Sequence, residues 1–157
     1  MIKGKIDIKP LSINAYFTTV IRSGKVLITI SDRGKSYKDE VRFKVLPKLS
    51  RLEYSKKYFA GFVFGFSNAA SDADNAVKPF QDAMIDAYNS KFGASLNDKQ
   101  IYFPIAQKVV VKKGEEFIDF FIAPLELYAE MMQKISEKME NDDAFELFYK
   151  YITPQSL

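Results

Sequence analysis

The apolar positions of this chain fall into two periods. Lys3, Lys5 and Asp7 alternate with Ile6 and Ile8, which predicts a strand ended by Pro10. Asn14 to Ile21 and Val26 to Ile30 are β-rich runs around Arg22-Ser23-Gly24-Lys25, the pattern of a hairpin. Ser31 then reads as the N-cap of a helix of about fifteen residues ending near Leu49. Its charged face carries Arg33, Lys35, Lys38, Arg42 and Lys44.

Tyr58 to Phe66 predicts a strand with two unlike faces. Phe62, Phe64 and Phe66 share one, and Phe59, Gly61, Val63 and Gly65 share the other, where the glycines would let a helix or another backbone come close. The polar run Ser67 to Asp74 leads into a predicted amphipathic helix from about Asn75 to Ser90, with Val77, Phe80, Met84 and Tyr88 inward and Pro79 within the first turn or so. After the loop at Asn97 to Lys99, Ile101, Phe103, Ile105, Val109 and Val111 mark one face of a long strand, and Pro104 points to an edge or a bulge. Lys112-Lys113-Gly114-Glu115 turns into a last strand, Phe117 to Ile122. Beyond Pro124, Leu125, Tyr128, Met132, Ile135 and Met139 recur at helical spacing. The expected fold class is α+β, a mixed β-sheet packed with helices, in one domain whose body is residues 1–123 and whose C-terminal helical extension is residues 124–157.

Composition narrows the chemistry. The 157 residues include no cysteine and no histidine, so thiolate sites, His-ligated metals and Ser-His-Asp or Cys-His catalysis are excluded. A catalytic centre would rest on carboxylates, lysines, tyrosines or hydroxyls, and on hard cations such as Mg²⁺ or Mn²⁺. The longest apolar stretch, Tyr58 to Ser67, is too short to span a bilayer, and the N-terminus lacks the apolar core of a secretory signal. The expectation is a cytoplasmic protein with no membrane partner. Net charge is +3, but it is divided: residues 124–157 hold three lysines against seven acids, while residues 1–123 hold 20 basic and 13 acidic groups. A basic body suits a polyanion, although ordinary lysine-rich surface gives the same totals.

Asp72, Asp74, Lys78, Asp82 and Asp98 form the informative constellation. In an extended chain leaving a strand, Asp72 and Asp74 point the same way. They also precede a helix, where the backbone favours an anion and a capping role. Lys78 lies one turn into that helix, and Asp82, four residues on, is placed to hold its ammonium. Clustered carboxylates are costly unless a cation neutralises them, and a divalent cation would also activate water. Spacing alone leaves caps and turns open beside a metal site.

Asp72-Ala73-Asp74-Asn75-Ala76-Val77-Lys78 with Asp82, followed by Asn97-Asp98-Lys99-Gln100, resembles the RusA family of Holliday junction resolvases, whose pattern is Asp-x-Asp-Asn-x-x-Lys-x-x-x-Asp and then Asp-Asp-x-Gln before a strand. Ser12-Ile13-Asn14-Ala15-Tyr16 is similar to that family's Asn-x-Tyr element, and Ser31 to Tyr37 to its helix-opening Ser-x-x-Gly-x-x-Tyr. The resemblance covers residues 5–122, roughly the body described above, which it makes a RusA-like nuclease domain. Two departures stand out: Asn97 replaces the first acid of the second motif, and no arginine precedes Asp72 in the run from Asn68.

The resemblance implies a Mg²⁺-dependent endodeoxyribonuclease, with Mn²⁺ as a substitute, acting as a homodimer that resolves four-way DNA junctions by paired symmetric nicks. It implies Asp72, Asp74 and Asp98 as metal ligands and, with Lys78, as catalytic residues, supported by Asn75 and Asp82. A two-fold dimer suits a substrate needing two equivalent cuts. Asn14, Tyr16, Arg33, Lys35 and Lys38 are the expected DNA contacts, with core packing the competing role for Tyr16. The family is common in phages and prophages. Alternatives are a nuclease of flaps and forks, a catalytically silent protein binding branched DNA on the same fold, and an unrelated module whose acids are caps and turns.

Overall fold

A computed structural model describes residues 1–52 and 57–138. Its elements are β1 (Ile2–Ile6), a one-turn helix α1 (Ile13–Tyr16), β2 (Phe17–Arg22), β3 (Lys25–Ile30), α2 (Asp32–Val45), β4 (Tyr58–Phe66), α3 (Asp74–Phe92), β5 (Ile101–Val110), β6 (Phe117–Pro124) and α4 (Glu126–Lys138). Short 3₁₀ turns at Leu46–Lys48 and Asp98–Gln100 follow α2 and precede β5. The main sheet has the order β1-β6-β4-β5. β6 pairs antiparallel with both β1 and β4, while β5 runs parallel to β4, so the sheet is mixed and the fold is α+β. A parallel pair needs a crossover, and α3 supplies it.

All nine residues of β4 are buried, and its two faces do different work. Tyr58, Ala60, Phe62, Phe64 and Phe66 join the larger core with Phe80 and Met84 of α3 and with Tyr37, Val41 and Val45 of α2. Phe59 and Val63 join a second cluster with Phe117, Phe121 and Ala123 of β6, against which Leu125 and Tyr128 pack. The glycines on that second face admit neither a helix nor a backbone: Gly61 and Gly65 stand opposite Phe121 and Phe117 in register, and the phenyl rings occupy the space where their side chains would be. Pro104 lies on an edge strand at an irregular register, where Tyr102 and Ile105 of β5 pair with Phe59 and Gly61, so edge and bulge are both present.

Three expectations are corrected. Asn14 to Tyr16 are helical rather than the start of a strand; the turn positions Tyr16 as a buried residue that packs edge-on against Phe17 and Tyr37. Ser31 does cap α2, accepting the Gly34 N–H at 2.9 Å, and also donates to the Ala15 carbonyl at 2.6 Å, which ties the foot of the hairpin to the helix start. α2 ends at Val45, and the 3₁₀ turn carries the chain to Lys48. α3 opens at Asp74, which places Pro79 in its second turn, where it removes the N–H that would otherwise donate to the Asn75 carbonyl four residues back. Among the described residues no helix is long and apolar enough to cross a membrane. Residues 139–157, including Met139 of the expected apolar stripe and most of the acidic tail, lie outside those described.

Asp119 was not singled out by the sequence, yet it is 2% exposed on the second face of the sheet, between Lys5 and Val63, and its Oδ1 has no hydrogen-bond partner among the described residues. Burial pushes its carboxyl up to about 6; Lys5 opposes the shift and Asp7 adds to it. Between its ordinary value near 3.8 and about 6, the folded protein keeps a proton that the unfolded chain releases. Stability due to this group therefore falls as pH rises through that window and is level above it. Asp119→Asn removes the titration, so the melting temperature of the variant relative to wild type should climb between pH 4 and pH 7; a difference independent of pH would refute the assignment. Gly61→Ala should cost about 1–3 kcal/mol in urea denaturation, because the methyl group collides with the Phe121 ring, and Phe121→Leu in the same chain should recover part of the loss.

Candidate metal and nucleic-acid site

The loop leaving β4 is shaped before any ligand is considered. Asn68 accepts the Ala70 N–H at 3.0 Å, and Ser71 N–H donates to the Asn68 carbonyl at 3.1 Å, forming a tight turn. Lys108 of β5 donates to the Ala69 and Ser71 carbonyls at 2.7 and 3.0 Å and clamps the segment that delivers Asp72. Sequence reasoning missed Lys108; its only signal was an exposed lysine on a strand, next in register to Phe64.

The capping role expected of Asp72 and Asp74 is not formed. Ala73 occupies the N-cap position and offers no side-chain bond, and Asp74 is the first helical residue. Asp72 meets only the Asn75 amide, at a long 3.5 Å, and both carboxylates are exposed. Asp74 has no hydrogen bond or ion pair to any described residue. These two carboxylates thus face water at the positive end of a 19-residue helix, Asp72 with one long amide bond and Asp74 with none to a described residue.

Lys78 stands one turn further along the same face. Its ammonium donates to Asp82 at 2.8 Å, as the four-residue spacing predicts, and lies 3.9 Å from Asp98. Asp98 is presented by the 3₁₀ turn that Asn97 and Gln100 build together: Asn97 accepts the Lys99 N–H, and the Gln100 side chain accepts the Asn97 N–H, each at 3.1 Å. Asn97, which departs from the resembled pattern, acts as the cap and leaves Asp98 with 55% of its side chain exposed.

The structure thus brings Lys78, Asp82 and Asp98 together and sets Asp72 and Asp74 at the helix start. Among the described residues no three carboxylates stand in one metal-ligand sphere. The donor set nonetheless fits a hard cation by its chemistry, since it offers only carboxylate oxygens and Asp74 has no internal partner to displace.

A pocket beside α3 is lined by Asp82, Asp86, Asp98, Lys38, Tyr16 and Ile30, among others. Lys38 pairs with Asp86 at 3.2 Å. Burial, then Asp82 and Asp86, push the Tyr16 phenol up to about 12, so it stays protonated. Of the expected DNA contacts, Tyr16 is 1% exposed and belongs to the core and the pocket wall, which removes it as a surface contact. Lys35 is paired with Asp32 at 2.8 Å, while Asn14 and Arg33 are exposed. Asp86 was missed because nothing in its spacing distinguishes it from a solvated helix face.

No family model matches the chain, and no curated protein matches it.

The Lys78–Asp82 pair is half exposed, so its coupling in a double-mutant cycle of Lys78→Met and Asp82→Asn should be about 0.3–0.5 kcal/mol in urea denaturation. A coupling above about 1.5 kcal/mol would make the pair a structural element rather than a way of placing an ammonium.

Proposed function

We propose that this chain is a metal-dependent endodeoxyribonuclease of the RusA type, acting on branched DNA and on four-way junctions in particular. The observation that carries the reading is that Asp72 and Asp74, in the spacing that resembles the family, serve no cap, while Lys78, one turn further along the helix, is held by Asp82. Asp82 and Asp98 flank the Lys78 ammonium, and Asp72 and Asp74 stand at the start of the same helix. Acids so placed would repel a phosphodiester unless a cation entered first, which supports a metal-dependent reading.

Asp72 and Asp74, with Asp98 as the third expected ligand, would hold Mg²⁺ or Mn²⁺. Once held, the cation would lower the pKa of a bound water and offset charge on the phosphate. Asn75 would steady Asp72 through its amide. Lys78, oriented by Asp82, would donate to a non-bridging oxygen of the scissile phosphate and stabilise the charge that develops there. Arg33, exposed on α2, would meet flanking phosphates.

A second reading, a silent binder of branched DNA on the same scaffold, is favoured by the absence, among the described residues, of three acids grouped closely enough to hold a metal ion. One experiment separates the two. A labelled four-way junction and matched duplex are incubated with Mg²⁺, Mn²⁺ or EDTA. Paired nicks confined to the junction, lost with EDTA and with Asp74→Asn and reduced about a hundredfold by Lys78→Met, are the expected result. Equal cutting of flaps and forks would widen the substrate class. Binding without cutting in either metal would sink the nuclease reading, and neither binding nor cutting would return the acids to structural roles.

A further inference from the structure

The cavity beside the middle of α3 has a volume of about 360 Å³, at the small end of the range for organic ligands. Asp82 and Asp86 are four residues apart, so they share one side of the helix about 6 Å from each other along its axis. Asp98 joins them from the turn before β5, and Ile30, Ile85 and Leu96 give the wall an apolar part. Leu96 is fixed there because the Asn89 side chain bonds both of its backbone groups, each at 2.8 Å. The acids stand too far apart for a bare metal ion, since no group of three among the described residues could hold one. Lys38 meets Asp86 at 3.2 Å, and Lys78 meets Asp82 at 2.8 Å and Asp98 at 3.9 Å. Three carboxylates thus face two ammonium groups, and the second oxygen of each carboxylate lies outside these pairs.

Tyr16 is a further observation, independent of the acids. It is 1% exposed, yet it forms part of the cavity wall, and its hydroxyl makes no hydrogen bond to a described residue. Burial first, and then the charges of Asp82 and Asp86, keep that hydroxyl protonated, so it stands near both carboxylates without bonding to either. A hydroxyl withdrawn from water without a partner is costly, and a ligand rich in polar hydrogens would relieve it. We propose that this cavity binds a short alkyl polyamine, with one ammonium group between Asp86 and the Tyr16 hydroxyl and the next against Asp82 and Asp98. The one-turn separation of Asp82 and Asp86 is on the order of the spacing between the nitrogens of propane or butane diamine. An ammonium group has three donors and no acceptor, which suits two carboxylates and a hydroxyl oxygen. The methylene stem would lie along Ile30, Ile85 and Leu96 and gain from leaving water. A hydrated magnesium ion has nothing to offer that apolar wall, and an anionic ligand would meet surplus negative charge. A lysine side chain of another protein brings one ammonium and fills half of the site. The inference goes beyond the proposed function and holds whether or not the protein cuts DNA.

The test needs neither metal nor DNA. The full chain is titrated calorimetrically with diaminobutane, with spermidine and with butylamine, which carries a single ammonium group. Saturable binding of one diamine per chain is expected, about tenfold or more tighter than butylamine. Tyr16→Phe, which removes only the hydroxyl, and Asp86→Asn should each weaken the diamine about tenfold, with circular dichroism confirming the fold. Lys38→Met frees Asp86 from its ammonium and should tighten binding severalfold. Diaminobutane should also raise the melting temperature of the wild type and leave that of Asp86→Asn unmoved. Heats that never saturate, or butylamine binding as tightly as the diamine, overturn the proposal. Binding that Tyr16→Phe and Asp86→Asn both leave unchanged is general screening of an acidic surface, and overturns it too.

Discussion

β4 has a hydrogen-bonded neighbour on either side and a packed layer on either face, so none of its nine side chains reaches water. Both layers have to be filled from one short segment, and its composition meets the demand by alternation. The helix-facing positions are large: Phe62, Phe64 and Phe66 run in a row along which Phe80 of α3 lies edge-on to Phe62 and Phe64. The opposite face is hollowed at Gly61 and Gly65, and β6 supplies the missing volume with Phe121 and Phe117. A slip of one residue would drive rings into backbone on one face and open voids on the other, so this complementarity fixes the register of β6 and, through it, of β1. The exit of β4 is thereby fixed as well, and with it the loop that opens α3.

Electrostatics at that exit are unbalanced by design of the chain rather than by accident of one residue. Lys108 fastens the loop through two carbonyls, so Asp72 is delivered on a braced segment. Lys78 bridges α3 and the turn before β5, engaging Asp82 closely and Asp98 at the limit of an ion pair. Neighbouring Asp86 is served by Lys38 from α2. The acids therefore extend along one side of α3 from its first turn to its fourth, with cations reaching in from two other elements. An anionic polymer can approach such a strip only alongside added positive charge.

Periodicity made the main sheet and both long helices legible, because β4 and α3 have long regular patterns and strong end signals, among them Ser31 as a cap. It failed where tertiary contacts decide. Asn14 to Tyr16 carry strand-like residues but fold as a helical turn because Tyr16 is drawn under Tyr37. The glycines of β4 announced a close approach without saying of what, since a sequence does not show which phenylalanines lie across the strand. At the site, Lys78 with Asp82 was readable from a four-residue spacing, a local property. Lys38 with Asp86 and the Lys108 clamp join positions 48 and 37–39 residues apart in the chain and left no local trace. For the helix-start acids spacing leaves a capping role open beside a ligand role, and only the structure shows that Ala73 takes the N-cap position, so neither acid caps the helix.

The pairing of β1 with β6 has a consequence for how the protein comes into being. Ile2 faces Ile122, so β1 has no neighbour in the sheet until β6, more than a hundred residues later, has been synthesised. At usual elongation rates that interval is on the order of ten seconds. Meanwhile β4 emerges with a row of phenylalanines and an unpartnered side, and β6 is the strand that closes both gaps at once. Nascent chains halted before β6 would display the stickiest segment of the sequence with nothing to cover it, which makes this a fold that completes late and nearly all together, under the eye of chaperones.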